Sequence, residues 1–402
     1  MGSDLRATVR HPDDRLIALG LLALGLVVYL VSIHGQTTVY DYFGRLAVAF
    51  THGRWWLDGA PPYLNELVTG VGGHRYSVVQ PLPALLLVPL VPFGQPGQIQ
   101  TFLSAVAGGA AGAPIYLICR RLGAGQLVAA MIALLSLFGT EMWVLAVDGR
   151  SWWAADALGA LILTLATWAA VSRAPALAVG ALLGAATLTR GPMILAAPAL
   201  LLLMPGRPSV GRALLIGVAT IPFIGIEAIY NQLRWGTPME VGYTLLSSSD
   251  PFYSRGIFSV TYIPRHIYAM FFEPPRFVDD TLTFLRARSI GMSLLFVTPA
   301  LLWIARAPIV ARTVPRVLAG LALGLITLIP DISFGTVGFE QYGYRRALDA
   351  QPFLMALLAL GAAWTGREWR RLPAPLFTFA VALSIAINVY FLLTIRAFGM
   401  AQ

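Results

Sequence analysis

Lysine is absent from this chain, so all 28 basic side chains are arginine. Cysteine occurs once, at Cys119, within an apolar run beside Arg120. A lone cysteine excludes an intrachain disulfide and a cysteine-based zinc site, and says nothing about redox compartment. Charge of either sign is scarce, at 12% of residues, against about 25% in soluble domains. Apolar residues make up 57% of the chain and its mean hydropathy is +0.72. Too few polar residues remain to cover a soluble core, which excludes an ordinary water-soluble enzyme and implies an all-α, polytopic membrane protein. No P-loop, GxGxxG pattern or low-complexity tract is present. The net charge of +9 lies in arginine clusters between apolar runs. That placement fits the positive-inside rule better than a nucleic-acid surface.

The first apolar run, 16–33, follows Arg6, Arg10 and Arg15 and lacks a small-residue cleavage site. It reads as an uncleaved first helix with a cytoplasmic N-terminus. The run "QPLPALLLVPLVPFG" (80–94) holds four prolines and about 14 apolar residues, short of the ~20 a span needs. If it does not cross, Arg120/Arg121, Arg173, Arg207/Arg212, Arg306/Arg312/Arg316 and Arg367/Arg370/Arg371 all fall inside. The segment therefore reads as re-entrant or interfacial. Spans are then expected at 16–33, 97–119, 126–140, 154–171, 176–189, 192–205, 211–230, 290–305, 316–330, 351–364 and 374–394, eleven in all, within one transmembrane domain over 1–402. Polar segments 34–79, 141–153, 231–289 and 331–350 collect outside.

In the first of these, Tyr42, Leu46 and Phe50 make an apolar stripe at helical spacing, with Asp41, Arg45 and His52 off it. The pattern predicts an amphipathic helix lying on the bilayer and presenting Asp41. Trp55, Trp56, Trp152 and Trp153 read as an interfacial belt. The outside acids are dispersed, Asp279-Asp280 being the one adjacent pair, and no metal site is expected.

Five stretches, in order, resemble the GT-C membrane glycosyltransferases that use polyprenyl-phosphate sugars, of the protein mannosyltransferase and aminoarabinose transferase type. They are "TTVYDYFGRL", "HRYSVVQPLPALLLVPLVPFG", "GAATLTRGPMILAAPALLLL", "YNQLRWGTPMEVGY" and "FEQYGYRRALDAQPFLMALLAL". Tyr42, not a second acid, follows Asp41, which gives no support to a two-carboxylate mechanism. The resemblance implies a GT-C fold on a bacterial plasma membrane with the active site on the outer face. The sugar would pass from a polyprenyl-phosphate donor, the co-substrate, to a hydroxyl of a glycan, lipid or protein, with inversion and no cofactor. Asp41 is the expected general base, with Glu66 its rival. Arg345 and Arg346 are the leading ligands of the lipid phosphate, since a planar guanidinium binds phosphate oxygens in pairs. Arg190 is a further candidate, or else a structural partner of Glu227 or Asp148. Tyr42, Arg45, His74, Arg75 and Tyr76 are candidate substrate contacts. The alternative is a transporter or lipid flippase, which would need charge near the bilayer midplane.

Overall fold

The computed structural model describes residues 13–248, 250–278, 284–310, 314–338, 340–362 and 375–400. Arg6, Arg10, Arg312, Arg367, Arg370 and Arg371, and the Asp279-Asp280 pair, lie outside the described residues. The described chain is mostly helical. Its first half comprises α1 (Asp13–Ile33), α2 (Tyr42–Thr51), α3 (Leu82–Leu87), α4 (Pro96–Ala110), α5 (Gly112–Arg121), α6 (Gln126–Phe138), α7 (Met142–Asp148), α8 (Ser151–Val171) and α9 (Ala176–Thr187). The second half has α10 (Ala197–Leu203), α11 (Val210–Trp235), α12 (Gly242–Ser247), α13 (Ile263–Phe271), α14 (Leu294–Val297), α15 (Ala307–Val310), α16 (Pro315–Gly324), α17 (Leu328–Ile332), α18 (Gln351–Ala362) and α19 (Pro375–Phe398). Two antiparallel hairpins complete it, β1 (Leu67–Thr69) with β2 (Arg75–Ser77), and β3 (Arg276–Phe277) with β4 (Leu285–Arg286).

Six helices among the described residues are long and apolar enough to cross a bilayer, or seven if α6 and α7, bent by 42°, form one span. The chain is thus a multi-pass membrane protein. The expected runs 176–189, 192–205 and 290–305 fall on shorter apolar helices. Proline interrupts one of them. Pro192 opens a 3-10 turn, Gly191–Ala196, and Pro198 lies in the first turn of α10, which follows it. Together these rise roughly 22 Å, less than the ~30 Å hydrocarbon core. The 80–94 segment folds as α3 and a 3-10 turn, Val88–Phe93, and is likewise short.

Polar contacts sort the helix ends into two groups. At one end Asp14 pairs with Arg120 at 2.8 Å and accepts from Tyr116 at 2.7 Å. Near the start of α11, Arg212 donates to the Pro205 carbonyl at 2.6 Å, and Arg316 donates to the Leu202 carbonyl at 2.9 Å. At the other end the four long polar segments meet. Ser151 N–H donates to the Tyr40 carbonyl at 3.0 Å, Arg150 pairs with Glu340 at 2.7 Å, Arg234 donates to the Ser77 carbonyl at 2.6 Å, and Ser259 N–H donates to the Ser333 carbonyl at 2.8 Å.

The expected surface helix is internal instead. Tyr42, Phe43, Leu46 and Ala47 of α2 are all buried, in a cluster with Leu64, Leu67, Ala84 and Leu87. More than one face of α2 is covered, because α3 and α4 pack on it and Gly44 admits the Pro96 carbonyl where any Cβ would collide. The stripe faces protein, not lipid. A hydrophobic stripe of this kind cannot tell the two apart, since both are apolar.

Helix α1 is mostly exposed, as a lipid-facing span should be. It docks on α4 through glycine. A Cβ on Gly25 would overlap the Gly109 carbonyl oxygen, whereas nothing lies near a Cβ on Gly20. Such small-residue contacts let membrane helices approach closely. Gly25→Leu is expected to cost about 1–3 kcal/mol by overpacking, lowering the thermal midpoint of the detergent-purified protein, while Gly20→Leu leaves it unchanged.

Candidate functional site

A cavity of about 820 Å³ opens where the polar segments converge. Arg190, Arg345 and Arg346 line one side. Carboxylates of Glu66, Glu240, Asp250, Asp331 and Glu340, and rings of Tyr40, Trp152, Tyr243, Tyr253 and Phe334, supply much of the rest.

The arginines are held by buried aspartates. Arg190, just past α9, places Nε 2.6 Å from Asp349, Nη1 2.7 Å from Asp156 and Nη2 3.4 Å from Asp331. Arg346 pairs with Asp331 at 2.9 Å, donates to the Val337 carbonyl at 3.3 Å, and lies 4.4 Å from the centre of the Phe334 ring. Arg345 pairs with Asp156 at 2.8 Å, and its Nε is buried without a hydrogen-bond partner among the described residues. Three guanidinium groups thus face three carboxylates, which is how charge survives in a low-dielectric interior. Arg190 has all three nitrogens engaged; Arg345 has the most capacity left for a ligand.

Arg190 therefore pairs with neither Glu227 nor Asp148. Glu227 lies 3.7 Å from Arg234, and Asp148 lies 2.8 Å from Arg150.

Glu66 precedes β1 and reaches the cavity wall. Its carboxylate accepts from Trp152 Nε1 at 2.7 Å, and its backbone N–H donates to the Tyr42 hydroxyl at 2.9 Å. Removal from water pushes its carboxyl above the usual range, while the Trp152 bond and the charge of Arg345 pull the other way. Asp41 stands differently. It lies at the start of α2, almost wholly buried, and accepts from Arg45 Nε at 2.6 Å, one helical turn on. Burial raises its carboxyl and Arg45 opposes that shift.

Of the candidates read from the sequence, Glu66, Arg190, Arg345 and Arg346 line the cavity. Asp41, Tyr42, Arg45, His74, Arg75 and Tyr76 do not, and the physical reasons differ. Asp41 and Arg45 satisfy each other. Tyr42 stands behind Glu66 and supports its backbone. His74 stacks on Trp56 at 4.3 Å and bonds to Asp58 at 2.5 Å, while Arg75 N–H donates to Asp58 at 2.9 Å. The Tyr76 hydroxyl donates to the Val71 carbonyl within its own hairpin at 2.9 Å.

Sequence reasoning missed Asp156, Asp331 and Asp349, which hold the arginines. The available signal was a single carboxylate at or near the end of each of three apolar runs, a placement costly enough to mark a function. It also assigned Trp152 and Trp153 to the lipid interface. Trp152 instead donates to Glu66, and Trp153 is fully buried, 4.1 Å from the Arg150 guanidinium.

Among the described residues no group of three or more His, Cys, Asp or Glu side chains is arranged to hold a metal ion. No protein-family model, curated protein or solved structure matches the chain.

Two outcomes follow from the geometry. Arg190→Met strands buried Asp349, which has no other arginine among the described residues, and is expected to cost about 3–5 kcal/mol, whereas Arg345→Met costs less because Asp156 keeps Arg190; denaturation in detergent compares them. For Glu66 the folded carboxyl titrates above its unfolded value of ~4.3. Its contribution to stability therefore falls as pH rises from the unfolded to the folded value. Glu66→Gln should remove that slope from a plot of thermal midpoint against pH.

Proposed function

We propose that the chain is a GT-C-type glycosyltransferase that moves a sugar from a polyprenyl-phosphate donor to a hydroxyl acceptor. One observation carries this reading: a carboxylate with a raised pKa, Glu66, and a partly committed arginine, Arg345, face the same aromatic-walled cavity. Glu66, not Asp41, is the base in this proposal. It takes the acceptor hydroxyl proton while the oxygen attacks the anomeric carbon. The bond from that carbon to the phosphate oxygen breaks, and its electron pair leaves on the lipid phosphate. Arg345, assisted by Arg346, stabilises the charge gained there. Attack opposite the leaving group inverts the anomeric centre. Arg190 holds the wall and does not touch the phosphate.

An apolar groove of about 440 Å³, lined by Leu183, Leu201, Ile216, Ile221 and Ile224, supports a lipid-linked donor. It shares Ile194 with the charged cavity, so a phosphate in one can continue as a tail in the other. A cytoplasmic N-terminus and a site on the outer face of a bacterial plasma membrane belong to the same proposal. Their support is the gathering of the long polar segments at one end and of Arg120, Arg212 and Arg316 at the other.

One feature favours a transporter instead. The α6–α7 span is broken, and Glu141 is buried at the break, as in discontinuous transporter helices.

The deciding experiment uses protein reconstituted in lipid, a panel of radiolabelled polyprenyl-phosphate sugars and membrane extract as acceptor. The wild type is expected to release lipid phosphate. Glu66→Gln should slow release by about 10²–10⁴-fold with donor binding kept, and Asp41→Asn should act far less. Wild-type release should also rise with pH as the Glu66 carboxyl ionises. Equal release by wild type and Glu66→Gln removes Glu66 from the mechanism. No donor bound by any form brings the transporter forward.

A further inference from the structure

The long segment after α11 would stand in water if it were an ordinary loop. Its side chains contradict that. Phe252, Phe258, Val260, Tyr268, Phe272 and Phe277 each expose more than half of their surface. A water-facing surface rarely gathers so much apolar area. Helix α13 is two-sided: His266, Ala269 and Met270 are buried, while Ile267, Tyr268 and Phe271 are exposed. The buried side is fixed, because His266 bonds to the Tyr344 hydroxyl at 2.7 Å and to the Phe334 carbonyl at 2.9 Å.

Two contacts set the height of this surface against the spans. Ser259 N–H donates to the Ser333 carbonyl at 2.8 Å, one residue past the end of α17. The β3–β4 hairpin reaches deeper. Leu285 N–H donates to the Tyr390 hydroxyl at 3.1 Å, and that hydroxyl donates to the Leu285 carbonyl at 3.0 Å. Tyr390 lies about 12 Å along α19 from its last residue, Phe398. Helix α19, with 24 residues, is about 36 Å long, against a hydrocarbon core of ~30 Å. A hairpin docked at Tyr390 therefore lies at membrane depth. Arg286 stacks on Phe398 at 3.7 Å, and Arg255 and Arg265 stand among the exposed rings, the mixture that suits an acyl–headgroup boundary.

We propose that residues 252–277 form an apron seated in the lipid leaflet at the cavity end, with the aromatic side chains at the acyl–headgroup boundary. The surface is continuous along the chain with the exposed apolar face of α11, through Leu233 and Met239. Phe258 belongs to the cavity wall as well, beside Tyr253 and Ile257. On that side the cavity opens onto lipid, and an amphiphile enters sideways without crossing water. The apron requires only that the chain span the membrane, not that it transfer sugar.

The test uses the full chain with Cys119→Ala, carrying Phe258→Cys or Phe272→Cys labelled with an environment-sensitive fluorophore, in phosphatidylcholine–phosphatidylglycerol nanodiscs. Brominated acyl chains are expected to quench both labels several-fold, and aqueous iodide to quench them weakly. Strong iodide quenching without lipid quenching overturns the proposal, as does loss of lipid quenching when a second copy enters the disc. Should a variant misfold, the unsubstituted protein is photolabelled with a carbene-bearing lipid and its peptides mapped. Label within 252–277 supports the apron; label confined to α1, α11 and α19 overturns it.

Discussion

One guanidinium ties the membrane interior to the cavity. Arg190 leaves the end of α9 and meets carboxylates from α8, from α17 and from the 3-10 turn ahead of α18. Burying any of these charges alone would cost several kcal/mol, so each element is held where its partner is. The helices that carry them are otherwise joined by apolar contact, which is weakly directional in a bilayer because lipid is as apolar as a neighbouring helix. The ionic cluster supplies the direction. The cluster itself carries little net charge, because three arginines are balanced by three aspartates. What an anionic ligand meets is then local, namely the unused capacity of Arg345 and the neighbouring Arg346.

That local arrangement fits an amphiphile with an anionic head better than a small soluble anion. The head finds arginine on one wall, and a carboxylate with aromatic rings on the other. An apolar groove nearby shares Ile194 with the cavity wall. A soluble anion would gain nothing from the groove, and a plain lipid would gain nothing from Glu66.

The sequence announced the membrane, the helical class and the segregation of polar segments, because apolar run length and loop arginine depend on the bilayer and not on tertiary detail. It announced less where two environments share a composition. The Tyr42–Leu46 stripe looks the same whether it meets lipid or α3. Pro192 was visible, but the 3-10 turn that it opens was not. Arg345 and Arg346 stood out as paired charges beside a helix. Their partners did not, since Asp156 and Asp331 lie far apart in sequence and meet through Arg190. Asp41 drew attention because it sits early in the first polar segment, yet a carboxylate one turn before an arginine on the same helix has a partner at hand. Glu66, with no arginine at such spacing, was the freer of the two.

The loop that delivers Arg345 and Arg346 is itself constrained. Glu340 has φ +45°, a left-handed conformation that costs a non-glycine residue free energy, between Gly338 at φ +144° and Gly343 at φ +63°. Something must hold it there. Arg150 does so, gripping the Glu340 carboxylate while bonded to Asp148 and packed on the Trp153 ring. Arg150 belongs to the short turn between α7 and α8, six residues before Asp156. One turn therefore fixes the strained end of the arginine loop, and the helix it begins fixes the arginine itself. A donor phosphate would meet Arg345 already in place, so little ordering entropy would oppose its binding, and the strain at Glu340 is balanced by contacts that exist before any ligand arrives.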